Sequence, residues 1–507
     1  MKLVTADEMR AIEQRVFDDG TPASELMEIA GRAVARAVAE RLGGARARRV
    51  VVLVGPGNNG GDGLVAARYL AQDAAEVAAL LLTPRSEDDV NLRLARAADV
   101  EVFEPNDVPR ILESLLYRAD GIIDAILGIG RRRPLEGLIA DVCRSLQTRR
   151  ARLFALDIPS GLDADTGEVD PLTPRADLTY ALGFSKLGLH LHPGSERAGA
   201  VEVLDIGLDS AGSDVATELL TSDWACDALP DRPAVSNKGS FGRALVVAGS
   251  ESYTGAASLS CLGALRSGAG LVTLAGLKTV RSAVASQLAE ATFLPLPELD
   301  DAPAPDAADV VLRAVSGYDA LLVGPGLSLT PGAQSLARGL VTSPLLEETP
   351  VVIDADGLNA LAKLPSWHEH VTARCVLTPH PGEMARLAGC STADVQADRI
   401  GMARRKASEW GQTVVLKGAN TIVARPDGTV LVSPFASALL ATAGTGDVLA
   451  GTIAGLIAQG VEPFAAAGLG VFLHGAAGER LESQYGVSGL LASELAREIA
   501  VVVKELR

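Results

Sequence analysis

Val50-Val51-Val52-Leu53-Val54-Gly55-Pro56-Gly57-Asn58-Asn59-Gly60-Gly61-Asp62-Gly63 joins a short apolar, β-branched run to a glycine-rich turn. The apolar run suits a buried strand, and the turn residues mark its end. A strand-to-helix turn needs positive φ at some positions, which glycine supplies without steric cost. Turn geometry does not call for two asparagines and an aspartate in the same place. Further along, the runs Val77–Leu82, Gly121–Ala125 and Leu153–Leu156 alternate with stretches of helical spacing. Such alternation predicts βαβ units and a mostly parallel sheet. Upstream, Thr5 with Glu8 forms a capping-box pattern, and Leu26, Ile29, Ala30, Ala33, Val34 and Ala37 recur at helical spacing, so the first 40 residues are expected to be helical.

The rhythm breaks between residues 209 and 237, which hold Asp209-Ser210-Ala211-Gly212-Ser213-Asp214 and then an acidic, proline-containing run to Pro233. A second α/β series comes next, with strands expected at Ala244–Ala248, Ala320–Val323, Pro350–Ile353, Cys375–Leu377 and Thr413–Leu416, and a surface loop at Leu299–Asp309. A chain of 507 residues exceeds one ordinary core. The expected organisation is two α/β domains, residues 1–220 and 221–507, with no internal repeat between them.

Composition narrows the function classes. Apolar residues make up 48% of the chain, which fits packed domains. A formal charge of -17 opposes a nucleic-acid surface, which is built from clustered Lys and Arg. The five cysteines show no C-x-x-C pair and no regular spacing, so neither a disulfide framework nor a structural zinc site is expected. Asp7 and Glu8 near the start argue against a signal peptide, and no stretch reaches the roughly 18 apolar residues of a membrane span. The expectation is a cytoplasmic protein with small-molecule partners, no membrane association, and an apolar surplus that favours a homo-oligomer.

In a parallel sheet, ligands collect beyond the carboxyl ends of the strands. In the first domain, the expected strands lead into the Asn58–Asp62 turn, into Asp124 with Gly128-Ile129-Gly130, and into Asp157-Ile158-Pro159-Ser160-Gly161. Gly55, Gly57 and Gly60 satisfy G-x-G-x-x-G, but the acidic residue expected at the end of the next strand is missing: Glu76 precedes that run and Thr83 comes after it. This disfavours a conventional NAD-dependent dehydrogenase. The chain has no G-x-x-x-x-G-K-[ST] phosphate loop in the turn.

Asn58-Asn59-Gly60-Gly61-Asp62-Gly63, the Asp124 strand and Asp157-Ile158-Pro159-Ser160-Gly161-Leu162-Asp163 resemble the NAD(P)H-hydrate epimerase family over roughly residues 1–215. The resemblance implies a Rossmann-like three-layer sandwich. It implies that Asn58, Asn59, Gly60, Gly61 and Asp62, with Gly128, Ile129, Gly130, Arg131, Arg132, Arg133 and Pro134, hold the hydrated dinucleotide. Asn59, Asp124 and Ser160 would ligate K+, whose preference for hard oxygen ligands suits amide, carboxylate and hydroxyl. Asp157 would contact the substrate and act as acid or base on the hemiaminal carbon. Arg131-Arg132-Arg133 departs from the family, either as a seat for the 2′-phosphate of NADPHX or as a solvated basic turn.

The most specific motif is Ala443-Gly444-Thr445-Gly446-Asp447, leading into the apolar helix Val448-Leu449-Ala450-Gly451-Thr452-Ile453. The two glycines leave backbone N–H groups facing outward at a helix N-terminus, where an anion binds, and Asp447 stands where a base meets an attacking hydroxyl. Lys417-Gly418-Ala419-Asn420-Thr421 ends another expected strand and can cradle a nucleotide phosphate. These motifs, with Lys238-Gly239-Ser240-Phe241-Gly242 and Leu377-Thr378-Pro379-His380-Pro381-Gly382-Glu383, resemble the ADP-dependent NAD(P)H-hydrate dehydratases of ribokinase-like fold over roughly residues 235–507. The resemblance places the hydrated dinucleotide on Ala256, Gly326, His380 and Asp447. It places ADP on Lys417, Gly418, Ala419, Asn420, Thr421 and Gly446, with Mg2+ on the phosphates and Asp354, Asp356 and Glu383 as water-mediated supports. Ser433–Leu440 departs from the family by lacking the Gly and Asn often found before the anion hole. His190, His192, His368, His370 and His474 read as structural.

The implied function is repair: interconversion of R- and S-NAD(P)HX in the first domain and ADP-dependent dehydration of the S epimer in the second. Two other readings are a ribokinase-like kinase of a small alcohol, which would release a phosphorylated product, and a non-catalytic binding module at the N-terminus. Presence of Asp157 with Asn59, Asp124 and Ser160 favours catalysis over binding alone.

Overall fold

The computed structural model describes residues 1–73, 75–130 and 134–507. The chain divides into two compact units, Met1–Val215 and Ala216–Arg507. No helix among the described residues is long and apolar enough to cross a membrane.

In the first unit seven parallel strands lie in the order Glu101–Phe103, Glu76–Leu81, Arg49–Val54, Gly121–Ala125, Arg152–Leu156, Leu178–Leu182 and Ala200–Leu204. Side chains of Arg49–Val54 alternate between two cores, as strand geometry requires. Val50, Val52 and Val54 pack with Met9, Ile12, Leu26, Val34, Leu64 and Leu70 on one face. Val51 and Leu53 pack with Val108, Leu112, Leu116, Val142 and Leu146 on the other. Helices thus cover both faces, giving the expected three layers. The Thr5–Glu8 capping box opens the helix Ala6–Asp18, and a second helix, Ala23–Arg41, comes after it. Strand order reverses between Arg49–Val54 and its neighbour Gly121–Ala125, which creates a crevice beyond their carboxyl ends.

The second unit holds a ten-stranded sheet. Its order is Thr217–Leu219, Val430–Val432, Ile422–Ala424, Thr413–Leu416, Cys375–Leu377, Val351–Ile353, Ala320–Val323, Arg243–Val247, Leu271–Gly276 and Thr292–Pro295. Ile422–Ala424 runs antiparallel to both of its neighbours. The stretch between the two α/β series contributes the edge strand Thr217–Leu219 and the helix Ser222–Ala228. The segment expected as a surface loop instead contains a short hairpin, Glu298–Leu299 with Ala302–Pro303, and the start of the helix Ala307–Ala314.

The helix Thr445–Ala458 is buried along almost its whole length. It lies backbone to backbone against Thr254–Ser267: a Cβ on Gly451 would fall 2.0 Å from Ser260 O, and one on Gly263 would fall 2.4 Å from Val448 O. Such an approach fixes the position of the Asp447 turn relative to the sheet.

Candidate active sites

In the first unit, Gly55 closes the switch point. A Cβ there would fall 1.8 Å from Ile126 O, so the turns after Val54 and Ala125 touch through backbone alone. Arg85 braces this turn from outside, donating from Nη1 to Gly55 O at 2.6 Å while its Nε pairs with Asp89 at 2.8 Å. Asn58, Asn59, Gly60, Gly61 and Asp62 form the first turn of the helix Asn58–Gln72. Gly128 sits against Asn59, since a Cβ at Gly128 would be 3.3 Å from Asn59 Cβ. Ile129 O accepts from Arg10 Nη2 at 2.7 Å. Pro134 lies beyond Arg131, Arg132 and Arg133, which are outside the described residues.

Asp124 is fully buried. Ser160 donates to it twice, from Oγ to Oδ1 at 2.6 Å and from N to Oδ2 at 2.9 Å, and Ser160 Oγ accepts from Leu127 N at 2.9 Å. Burial raises the Asp124 pKa, with the bonds from Ser160 partly opposing. The buried Asn59 Nδ2 has no hydrogen-bond partner. Among the described residues no cationic side chain hydrogen-bonds Asp124, and a buried carboxylate, a hydroxyl and an amide make an oxygen set that suits a monovalent cation.

Asp157 has φ +69, a conformation rarely adopted by residues with a Cβ. Its Oδ1 accepts from Lys186 Nζ at 2.5 Å and from Leu182 N at 3.1 Å. Lys186 is wholly buried and also donates to Leu182 O and Phe184 O, so its ammonium is saturated. Asp62 and Glu13 face this pair. Burial, then the Asp157 charge, then Glu13 raise Asp62 well above the usual carboxylate range. Burial and Asp157 raise Glu13 as well. Two carboxyls whose pKa is raised therefore stand beside an ion-paired one. Lys186 and Glu13 carry no motif in the sequence. Lys186 lies just past a strand, Leu178–Leu182, whose apolar run ends in Gly183-Phe184-Ser185, so inspecting the residues at every strand's carboxyl end would have reached it.

In the second unit, backbone bonds stitch successive strand-end turns together. Gly249 N donates to Pro325 O, Gly324 N to Val247 O, Asp354 N to Val323 O, Thr378 N to Ile353 O and Lys417 N to Pro379 O, all between 2.8 and 3.1 Å. Gly326 approaches Ala256 so closely that a Cβ on it would lie 2.7 Å from the alanine Cβ. Lys417 Nζ donates to Asp354 Oδ1 at 2.6 Å and lies 3.9 Å from Glu383 Oε2. Gly446 adjoins them: its Cβ would be 3.5 Å from Lys417 Nζ and 4.0 Å from Asp354 Oδ2. Burial lowers the Lys417 pKa, but Asp354 and Glu383 outweigh it and the net shift is upward.

Asp447 lies in the first turn of its helix, behind Gly444 with φ +90. Burial, reinforced by Asp354 and opposed by Lys417, pushes its pKa up to about 7. His380 caps the helix Pro381–Ala388, its Nδ1 accepting from Gly382 N at 3.0 Å and its Nε2 3.3 Å from Glu383 Oε1. Burial and Lys417 lower its pKa. His474 contacts the anion-hole turn through Thr445 O at 3.0 Å, and burial lowers its pKa to about 4.

The Lys417–Thr421 loop divides in role. Asn420 is buried and donates from Nδ2 to Ser433 O at 3.1 Å, and Thr421 Oγ1 donates to Gly418 O at 2.9 Å. Below the loop, the Arg399 guanidinium donates to Ala419 O at 2.7 Å, Leu416 O at 3.2 Å and Lys417 O at 3.3 Å. The sequence gives no sign of this role, because Arg399 lies at the start of a helix and carries no motif. Asp356 is engaged by Ser328 N at 2.8 Å and Asn359 Nδ2 at 3.3 Å, which marks it as a turn support. Among the described residues no group of three His, Cys, Asp or Glu could hold a metal ion by itself. Mg2+ on nucleotide phosphates needs only one or two protein carboxylates, and Asp354 and Glu383 flank Lys417 there.

Residues 244–501 match the family model described as NAD(P)H-hydrate dehydratase, and residues 23–188 match that of the YjeF-related protein N-terminus. The bifunctional NAD(P)H-hydrate repair enzyme of Moorella thermoacetica is 40% identical, with 100% of this chain and 97% of the relative covered. That of Salinibacter ruber is 39% identical over 99% and 96%. Among solved structures, the ADP/ATP-dependent NAD(P)H-hydrate dehydratase of Bacillus subtilis, co-crystallized with ATP/Mg2+, is 34% identical with a TM-score of 0.50, covering 57% of this chain and 99% of that one. A ribokinase-like superfamily protein from Enterococcus faecalis is 25% identical with a TM-score of 0.51, covering 57% and 96%.

Proposed function

The chain belongs to the family of bifunctional NAD(P)H-hydrate repair enzymes, and we propose that its two strand-edge sites divide the repair between them. The enzyme restores hydrated nicotinamide dinucleotides through an epimerase and a dehydratase activity. The Met1–Val215 unit interconverts R- and S-NAD(P)HX, and the Ala216–Arg507 unit dehydrates the S epimer.

For the dehydratase, one observation carries the reading: a carboxylate with its pKa raised to about 7, Asp447, stands at a glycine-lined helix N-terminus beside Lys417. Hydroxide leaves poorly and phosphate leaves well. Asp447 takes the proton of the substrate hydroxyl as its oxygen attacks the terminal phosphoryl of ADP, and AMP departs. Loss of phosphate from the ring carbon, with a proton from its neighbour, restores the dihydronicotinamide. Lys417 and the Gly446 turn hold the phosphates, His380, Ala256 and Gly326 hold the dinucleotide, and Arg399 holds the loop. Mg2+ supplies charge neutralisation on the phosphates. ADP as the preferred donor is supported by the family resemblance.

For the epimerase, Asp157 contacts the substrate and Lys186 fixes it, while Asp62 or Glu13 supplies the proton that assists hydroxide loss. Asn58 to Asp62 and Gly128 to Pro134 form the dinucleotide seat. Asn59, Asp124 and Ser160 would hold K+, which lends positive charge to that crevice. A reducing, cytoplasmic location is supported by five unpaired cysteines, one of them exposed. Self-association remains the expectation of the composition, to be measured by sedimentation.

The test is recovery of dihydronicotinamide absorbance from mixed R- and S-NADHX with Mg2+ and K+, adding ADP or ATP in turn. Complete recovery with ADP supports both activities. Recovery that stops at the S fraction removes the epimerase, and no recovery favours a small-alcohol kinase with an accessory N-terminal domain.

A further inference from the structure

At the opposite edge of the first unit's sheet, beside the amino ends of Arg152–Leu156, Leu178–Leu182 and Ala200–Leu204, lies a cavity of about 620 Å³ lined by Gln147, Arg149, Arg175, Asp177 and Arg197. We propose that it is an anion site that takes the phosphate group of a small metabolite.

Charge supports this first. Three guanidiniums and one carboxylate surround one void in a chain of net charge -17. The carboxylate is already committed: Asp177 Oδ2 accepts from Leu153 N at 2.7 Å and from Arg149 Nη2 at 3.1 Å. Among the described residues no hydrogen bond or ion pair engages the guanidinium of Arg175 or of Arg197. Arg149 is nearly buried and its two terminal nitrogens are committed to Leu146 O, Arg175 O and Asp177, so it anchors the lining while Arg175 and Arg197 are left to meet an anion. The lining carries a surplus of two positive charges, which a phosphate dianion balances, and guanidinium forks match phosphate oxygens.

Rigidity supports it second. Arg149 Nη2 donates to Arg175 O at 2.5 Å, and Ala176 N donates to Arg197 O at 2.8 Å, so the three arginine-bearing segments are tied to one another. Gly199 has φ +62, and a Cβ there would fall 2.5 Å from Ala176 O. The segments therefore pack backbone to backbone, and the charges are held together before any ligand arrives. Like charges held together repel, and a bound anion would offset that cost. The volume admits inorganic phosphate or a nucleoside monophosphate.

The test is equilibrium dialysis of the full chain with radiolabelled inorganic phosphate and, separately, AMP. A K417A background weakens the phosphate seat of the second unit, and the readout is the difference that the arginine substitutions make within it. The expected result is one bound equivalent in K417A, weakened by about tenfold or more when R175Q and R197Q are added, as loss of charge-assisted bonds implies. R175K/R197K should regain part of the binding, which separates charge from folding. Binding of AMP that also depends on the two arginines identifies a nucleotide as the source of the phosphate, and exclusion of AMP identifies free phosphate. Equal binding with and without the arginines, or no binding at millimolar phosphate, overturns the proposal.

Discussion

The Lys186 ammonium meets the Asp157 carboxylate at 2.5 Å in a place solvent barely reaches, with side-chain exposures of 0% and 10%. Asp157 holds a left-handed backbone conformation there, and strain of this kind persists only where surrounding contacts over-determine it. Lys186 supplies those contacts by also gripping the carbonyls of Leu182 and Phe184. The Asp157 carboxylate is thus aimed by a lysine more than a strand away in sequence.

Removing one partner of such a pair strands the other as a buried charge, whereas removing both does not. Lys186→Met should destabilise the first unit by about 3–5 kcal/mol and abolish epimerisation. Asp157→Asn combined with it should recover part of the stability and none of the activity. Denaturant unfolding and R-NADHX turnover of the two variants check this. A double variant no more stable than Lys186→Met would remove the ion pair from the explanation.

Asp447 should set the acid limb of the dehydratase profile. As a base it works when ionised, so kcat/KM with S-NADHX should climb as pH rises, pass its midpoint near 7 and level off above that. Asp447→Asn should lose that limb and slow the reaction by about 10²–10⁴-fold. Stability runs the other way. A carboxyl with a raised folded pKa keeps its proton longer in the folded state, so its contribution is present below the unfolded value and lost as pH rises through about 7. Asp447→Asn should therefore raise the melting temperature at pH 8 more than at pH 5.

The parts of the fold legible in the sequence are those that local chemistry encodes. Apolar runs ending in Gly, Asn and Asp announced the central strands, because a strand buried on both faces is a continuous apolar run. Leu178–Leu182 reads Leu-Thr-Tyr-Ala-Leu and the edge strand Ala200–Leu204 carries Glu202, so neither stood out. The Thr217–Leu219 strand is short and sits within acidic, turn-rich sequence; its pairing with Val430–Val432 is made by tertiary context. Motif positions Asn59, Asp124, Asp157 and Ser160 were visible because they fall at the carboxyl ends of expected parallel strands, where ligands collect, and Asp447 because it joins a glycine-rich helix N-terminus. Lys186, Glu13 and Arg399 were not, because each acts across the fold on a residue distant in sequence.

Arg399 gives the clearest case of such action. Its guanidinium joins three carbonyls of the Leu416–Ala419 stretch, and burial lowers its pKa to about 10. Arg399→Met leaves those carbonyls without their donor. The expected result is a KM for ADP raised about tenfold or more, with kcat for bound substrate falling less, at the scale of one charged hydrogen bond. Arg399→Lys, with a point charge in place of a fork, should recover only part of it. An unchanged KM in Arg399→Met would show that the loop holds its shape without the arginine.

Gly55 and Gly57 share one turn and differ in their surroundings. A Cβ at Gly55 would fall 1.8 Å from the backbone oxygen of Ile126, and nothing flexible can yield there. Gly57 has no neighbour within 4 Å of a built Cβ and a negative φ of -94°. Gly55→Ala must therefore push apart the two turns that form the switch-point crevice. It should cost on the order of 3 kcal/mol or more, and disable epimerisation. Gly57→Ala, at the N-cap, should cost only a few tenths to about 1 kcal/mol, and epimerisation should survive. A far-UV signal sums both units and cannot separate them, so limited proteolysis with mass mapping of cuts within Met1–Val215 is the measurement. Faster cutting there in Gly55→Ala alone is the expected outcome. Equal protection in both variants would mean that the crevice tolerates separation of its turns, and that the close backbone approach at Gly55 is dispensable to the epimerase.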